Sequence, residues 1–301
     1  MSMATRSTIL VTGAATGFGG LTARTLAHAG HTVYASMRDA ETRNAPRVRD
    51  IRAYATEHDV DLRAIELNVQ SKGSCDSAVE AILAEQGALD VVVHNVAHLV
   101  VGPTEAFTPE EIARVIDINA LGAHRVNRAA LPHMRGVGAG LLLWVGSTTS
   151  QVPPPLLGPY VAAKAAMDGL ASVTAYEVAP FGIETSIVVP GAYSSGTEHF
   201  ANAGHPADAG TVAAYARVAA LLDQIQERLL ALVPEGSDAQ GVADEIARIV
   251  GLPAGTRPAR SVVDPIDDGA RAVIDVMVER RRAFLTRLGL EQLLHPIPAT
   301  A

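Results

Sequence analysis

The chain has 301 residues, 48% of them hydrophobic, and a net charge of −8 at pH 7. That supports one large core, or a core with an appended lobe, and argues against nucleic acid as a partner. A single cysteine, Cys75, excludes an internal disulfide, while the polar Met1–Ser7 start and the lack of a long apolar run leave no signal-peptide core or membrane span, so the expectation is a cytoplasmic protein with no membrane partner.

In chain order, Thr8–Thr12 reads as a strand. The stretch Thr12-Gly13-Ala14-Ala15-Thr16-Gly17-Phe18-Gly19 follows it and opens a helix, Gly19–Ala29. Strand, glycine turn and helix N-terminus form an anion site, because bare backbone approaches a diphosphate and the helix dipole favours its charge. Strands at Thr32–Ser36, Asp61–Leu67, Ala88–His94, Gly140–Gly146 and Ile183–Val189 then alternate with helices at Pro46–His58, Lys72–Gln86, Pro109–Met134 and Gly158–Ala179. Such alternation predicts an α/β fold, a doubly wound parallel sheet covered on both faces, with ligands at the carboxyl ends of the strands. After Gly191 the composition shifts to Ala, Gly and Pro. Helical stretches at Ala209–Leu232 and Asp238–Val250, a seventh, edge strand at Arg260–Val263 and a closing helix at Gly269–Leu288 complete the reading.

Ser147, Tyr160 and Lys164 are spaced Ser-x₁₂-Tyr-x₃-Lys. Tyr160 and Lys164 fall on one helix face about one turn apart. An ammonium at that distance favours the phenolate, so a phenol with a reference pKa of about 10 can act as acid or base nearer neutrality. Ser147 ends the apolar run Leu141-Leu142-Leu143-Trp144-Val145-Gly146, a buried strand tip from which its hydroxyl can meet the phenol on one substrate oxygen.

These motifs make the chain resemble the short-chain dehydrogenase/reductases from about Ser7 to Thr197, with weaker similarity to the C-terminus. Thr12–Gly19 is similar to the family's Thr-Gly-x₃-Gly-x-Gly loop, Asn119-Ala120-Leu121-Gly122 to its active-site asparagine motif, and Pro190-Gly191 to its Pro-Gly turn. Two stretches depart from the pattern. His94-Asn95-Val96-Ala97 stands where the family has Asn-Asn-Ala-Gly, and Asn68, in Leu67-Asn68-Val69, stands where an aspartate usually lies near the adenine. Ala97 puts a methyl group where backbone passes close to the nicotinamide; an amide at Asn68 still bonds an adenine amino group.

The resemblance implies a Rossmann-type sheet of about seven strands with a C-terminal helical substrate lid, forming one dinucleotide-binding catalytic domain over residues 1–301. It places the lid at residues 192–260, inserted before the last strand and helix; the apolar residues of Ala209–Leu232 suit either such a lid or plain core packing. It also implies hydride transfer between a nicotinamide and a carbonyl or alcohol carbon. Tyr160 is then the proton donor or acceptor, Ser147 holds the substrate oxygen, and Lys164 lowers the phenol pKa and binds the nicotinamide ribose. Asn119 kinks its helix and holds a water that links the lysine to solvent. Gly13, Thr16, Gly17, Phe18, Gly19, Asn68, Val69, Asn95, Tyr160, Lys164, Pro190 and Gly191 are the expected cofactor contacts.

The second strand ends Tyr34-Ala35-Ser36-Met37-Arg38-Asp39. NAD-dependent relatives carry an acid there for the ribose hydroxyls, and that position falls on Met37. With no carboxylate to repel a 2′-phosphate, and with Arg38 to pair with it and Ser36 to add a hydroxyl, NADP(H) is favoured over NAD(H). Asp39 leaves NAD(H) open, since it can satisfy Arg38 or reach the ribose. The histidines show no metal-ligand spacing, so no metal is expected.

The expected substrate is a small hydrophobic alcohol or ketone. Its candidate contacts are His98, Ser147, Val152 and Tyr193, within the stretches Trp144–Pro155 and Tyr193–Phe200; a solvent-facing His98 fits the sequence equally well. Ala162, Ala166, Leu170, Val173 and Ala130 form a small and apolar stripe on the outer helix faces, and the resemblance implies twofold pairing there, giving a homodimer or homotetramer. Two other classes compete. An epimerase or dehydratase of the extended branch needs the loop Gly-x₂-Gly-x₂-Gly, where this chain has Gly13-x₃-Gly17-x-Gly19. A non-catalytic dinucleotide-binding regulator or redox sensor needs the loop but not the whole Ser147, Tyr160, Lys164 and Asn119 set.

Overall fold

Apolar runs of four to eight residues, too short for helices and bounded by turns, become strands here because both sheet faces are covered. A computed structural model describes residues 6–193, 196–197, 199–218, 228 and 231–296. Its strands are β1 (Thr8–Val11), β2 (Thr32–Met37), β3 (Leu62–Glu66), β4 (Val91–His94), β5 (Gly140–Val145), β6 (Ile183–Pro190) and β7 (Arg260–Val263). They pair in the order β3-β2-β1-β4-β5-β6-β7, every neighbour parallel. The first half of the chain adds α1 (Gly17–His28), α2 (Ala45–His58), α3 (Lys72–Gln86) and α4 (Pro109–Ile116). The second half adds α5 (Gly122–Val137), α6 (Gly158–Val178), α7 (Ala209–Ala214), α8 (Gln240–Gly251) and α9 (Ala270–Arg287).

Successive strand residues point to opposite faces, and the core divides accordingly. Leu10, Val92 and Leu142 pack with Ile82 of α3, Met134 of α5 and Met167 of α6. Ile9, Val93 and Leu143 pack with Leu26 of α1, Ile51 of α2 and Ile246 of α8.

Two expectations need correction. The single helix expected at Pro109–Met134 is two helices joined by a π-turn, Asp117–Leu121. The join is tight: a Cβ on Gly122 would lie 2.8 Å from Val69 Cγ2. Residues 192–260 are not all lid, because α8 buries Val242, Ala243, Ile246, Ile249 and Val250 in the core beside α1. Of the helix expected at Ala209–Leu232, α7 is present and residues 219–227 and 229–230 lie outside the described residues. Among the described residues no helix is long and apolar enough to cross a membrane.

Candidate active site

The glycine loop is fastened to the neighbouring strand by side chains. Thr12 Oγ1 donates to the Val93 carbonyl at 3.1 Å and accepts the Asn95 N–H at 2.9 Å. Asn95 Nδ2 in turn donates to the carbonyls of Thr12 and Gly13, at 3.0 and 3.1 Å. The resulting space excludes side chains: a Cβ on Gly19 would sit 2.4 Å from Asn95 Nδ2, and one on Gly13 2.9 Å from Val96 Cγ2. Gly13 and Gly17 also have φ of +67° and +57°, where a Cβ is strained. Thr16 caps α1 without a side-chain hydrogen bond, so the first N–H groups of the helix keep their capacity for an anion. This cradle fits a dinucleotide diphosphate.

Ser147, Tyr160 and Lys164 come together at the tips of β5 and α6. Ser147 Oγ lies 2.8 Å from Thr149 Oγ1 and accepts the Thr149 N–H at 3.3 Å, on the side of the cavity that Tyr160 also lines. Tyr160 and Lys164 are 6% and 2% exposed, so solvent screens neither. Here the structure departs from the expected charge coupling. Burial pushes the Tyr160 phenol well above its ordinary value, and the nearby Ser147 hydroxyl draws it part of the way back. Burial also lowers the Lys164 amine to about 8, and its Nζ donates to the Val145 carbonyl at 2.8 Å. Desolvation is the leading cause of both shifts.

Asn119 sits in the π-turn, 1% exposed, and clamps the loop after β4 from both sides. Its Oδ1 accepts the His98 N–H at 2.6 Å, and its Nδ2 donates to the His98 carbonyl at 3.0 Å.

A cavity of about 490 Å³ joins these parts. Gly13, Thr16, Gly17, Phe18, Asn95, Pro190 and Gly191 line it on the cofactor side. The wall near Tyr160 holds Ala97, His98, Val152, Pro154, Leu157 and Phe200. Gly191 leaves no room for a side chain, since a Cβ there would meet Asp264 Oδ1. Beyond this wall, Gly204 bridges Val100, and Tyr215 donates its hydroxyl to Glu105 at 2.6 Å.

Several expected residues fall elsewhere. Ser36 is fully buried in β2 with its Oγ sealed off, so its hydroxyl cannot meet a cofactor phosphate; only its carbonyl serves the loop, accepting the Ala14 N–H at 2.8 Å. Tyr193 packs edge-on against Phe18, with centroids 5.6 Å apart, and donates its hydroxyl to the Val263 carbonyl, so it supports the loop from behind. Trp144 is 0% exposed and stacks on His94 in the core. Val69 turns its side chain into the core beside Gly122, and its carbonyl accepts from Arg125 at 3.2 Å. Asn68 engages its Oδ1 with the Gln70 N–H at 3.0 Å, within its own turn. His98 lines the cavity, with its pKa lowered by burial and then by Arg38 and Arg114. Sequence reasoning placed Thr149 and His199 within candidate stretches but singled out neither. Thr149 follows Ser147 at a spacing that invites a hydroxyl pair, whereas nothing local to His199 announces that its Nε2 lies 3.3 Å from the Tyr160 hydroxyl.

A sequence profile of the short chain dehydrogenase family matches residues 7–206. A 3-ketodihydrosphingosine reductase of Bacteroides thetaiotaomicron is 32% identical over 188 residues, 62% of this chain and 64% of that protein. The human 17-beta-hydroxysteroid dehydrogenase type 1 is 31% identical over 186 residues, 61% of this chain and 56% of that protein. The chain thus spans less than two thirds of the length of these two relatives. An uncharacterised oxidoreductase of Bacillus subtilis is 27% identical over 272 residues, covering 88% of this chain and 90% of that one. Among solved structures, a short-chain dehydrogenase from Streptomyces avermitilis superposes with a TM-score of 0.72 at 28% identity, over 94% of this chain and 96% of that one.

Proposed function

We propose, from the premise that this chain belongs to the short-chain dehydrogenase/reductase family and is an oxidoreductase acting on CH–OH groups, that it interconverts a hydrophobic ketone or aldehyde and its alcohol with NADP(H). The observation that carries this reading is the convergence of Ser147, Tyr160 and Lys164 on the same cavity as the glycine loop. Gly13, Thr16, Gly17, Phe18, Gly19, Asn95, Pro190 and Gly191 would hold the diphosphate and nicotinamide, with the backbone at Asn68 and Val69 near the adenine. Bound there, the nicotinamide supplies hydride to the carbonyl carbon or takes it from the alcohol carbon. Ser147 Oγ donates to the substrate oxygen, and Tyr160 gives that oxygen its proton in reduction and removes it in oxidation. Lys164, held against the Val145 carbonyl, stabilises the phenolate left after transfer. Asn119 fixes the loop that carries His98 and so the shape of the wall.

The NADP(H) preference rests on Met37 and Arg38. Met37 offers no carboxylate, and the Arg38 side chain is 52% exposed, with its Nε 4.0 Å from Asp39 Oδ2, at the limit of an ion pair. The apolar wall of Val152, Pro154, Leu157 and Phe200 supports a hydrophobic substrate. Two relatives are named for a ketodihydrosphingosine and a hydroxysteroid, which agrees with that choice. The same reading makes the protein a cytoplasmic homodimer or homotetramer whose described lid segment, near residues 196–218, closes on substrate. The deciding experiment compares the fluorescence of bound NADPH and NADH, then screens ketones and secondary alcohols. NADPH should bind more tightly and be oxidised by an apolar ketone. Tighter NADH binding removes the NADP(H) assignment, and nucleotide binding with no turnover on any substrate leaves a dinucleotide-binding regulator in its place.

A further inference from the structure

His199 faces the reaction centre yet belongs to none of the family motifs. Its backbone N–H donates to Thr197 Oγ1 at 3.2 Å, and its ring meets that of Tyr160 edge-on, with centroids 5.5 Å apart. Nε2 lies 3.3 Å from the Tyr160 hydroxyl. Burial, reinforced by Lys164 and His98, brings the imidazole pKa down to about 4, so at neutral pH the ring is uncharged and offers one N–H and one lone pair. Val152, Leu157 and Phe200 make the surrounding wall apolar. A polar atom in such a wall costs free energy unless a partner faces it, and in this structure the partner is the Tyr160 hydroxyl.

That hydroxyl is the group that must turn to the reacting oxygen of the substrate. When it does, its proton is no longer free for Nε2: an Nε2 lone pair then needs a donor at hydrogen-bond distance from almost the same point, while an Nε2–H can share itself between the Tyr160 oxygen and a further acceptor there. Two oxygens on adjacent carbons of one molecule stand about that far apart. With one oxygen between Ser147 and Tyr160, the second falls to His199. Either tautomer serves, since the imidazole can donate to a carbonyl or accept from a hydroxyl.

Resting on the oxidoreductase reading, we propose that His199 is a specificity-determining residue selecting carbonyl substrates with a second oxygen on the neighbouring carbon: α-hydroxyketones or vicinal diketones in an otherwise apolar molecule, and vicinal diols in reverse. The chemistry is unchanged. The C=O π bond breaks, hydride joins the carbon, the Tyr160 proton joins the oxygen, NADPH becomes NADP⁺, and the second oxygen keeps its oxidation state.

The test compares cyclohexane-1,2-dione with cyclohexanone, because the ratio of their kcat/KM values in one variant relative to wild type cancels the greater intrinsic reactivity of the dione. His199→Leu should lower that ratio by about 10-fold or more, the cost of leaving one buried polar group unpaired. His199→Gln keeps a donor and an acceptor and should restore most of it. Calorimetric dissociation constants for the two compounds, measured without nucleotide so that nothing turns over, should show the same shift. A ratio within about twofold of wild type in His199→Leu, with both compounds still reduced, overturns the role of His199 and leaves the oxidoreductase reading standing. No NADPH oxidation by any carbonyl in the wild-type protein overturns both.

Discussion

Tyr160 lies with Leu99 and Leu157 around its ring and Ser147 and His199 at its hydroxyl, so Tyr160→Phe removes the transferable proton and keeps the packing. Turnover should fall by at least ~10², the low end for loss of an acid–base group, while NADPH affinity from a fluorescence titration barely moves. Wild-type turnover in that variant would remove Tyr160 from its role. Arg38→Ala should weaken NADPH by about 1.5–3 kcal/mol and NADH far less, since only NADPH carries the extra phosphate; equal losses would show that Arg38 points elsewhere. His94 gives the molecule an acid limit. It is 3% exposed, with Nε2 bonded to Asn127 Oδ1 at 2.7 Å and Nδ1 lacking a protein partner, and burial lowers its pKa from 6.5 to about 4. The unfolded chain therefore takes up this proton first. The stability tied to neutral His94 is complete above pH 6.5 and is lost as pH falls from 6.5 to about 4, on the order of 3 kcal/mol in all. His199 titrates in the same window, so His94→Asn should flatten the acid limb of a Tm–pH curve without abolishing it; an unchanged limb refutes the assignment. That Ser147, Tyr160 and Lys164 share one cavity was legible from their spacing, whereas Asn119 was named only through its likeness to a family motif. His199 was not legible, because it reaches Tyr160 across 39 residues of chain, and Ser36 misled because a polar side chain on a buried strand gives no sign of which way it faces.

The helices that carry the site are pinned by a small number of buried polar ties. Asp168 on α6 takes both guanidinium nitrogens of Arg260 on β7, at 2.5 and 2.7 Å, with side-chain exposures of 9% and 6%. Arg281 of α9 lies 3.8 Å from the same carboxylate. Asp168→Ala would leave a buried guanidinium unpaired, and urea unfolding should show a loss of about 3–5 kcal/mol. Because α6 also carries Tyr160 and Lys164, kcat should drop with it; a loss below about 1 kcal/mol would mean that solvent reaches Arg260 after all. At this scale the sequence was readable where a pattern has one solution. Continuous apolar runs behind turn residues located the strands, and Arg260–Val263 was found in full. A kink at Asn119 was implied by the family resemblance, but that it takes the form of a π-turn was not readable, because the adjoining Gly122 seats against Val69, a contact between segments far apart in the chain. Helix α8 was taken into the lid because the resemblance set that region's bounds, and its apolar face comes into use only against the sheet and α1.

At the scale of the whole molecule, the question is what covers the outer face of α6. Ala162 and Val173 are exposed there, Val173 by 53%, and Ala166 and Leu170 are half-buried, at the helical spacing of one face. Ala130 of α5, expected in the same stripe, is instead fully buried in the core and drops out. Gly169 lies on the exposed side, and a Cβ added to it would meet nothing within 4 Å. A glycine in the middle of a helix costs up to about 1 kcal/mol relative to alanine, so with open space around it a stability gain goes unused. Close approach of a second helix would account for that choice, and in the proposed dimer a twofold-related copy of α6 would supply one. Val173→Glu places a charge in the stripe without touching the monomer core, so folding should change by no more than about 0.5 kcal/mol. Light scattering should then show the dimer or tetramer split into monomers, with activity falling as α6 loses its support. Gly169→Ala separates the alternatives further: on a solvent-facing helix it should raise Tm, and at a close helix contact it should weaken assembly. A native protein that scatters as a fully active monomer, and gains stability from Gly169→Ala, would show that this face meets only water.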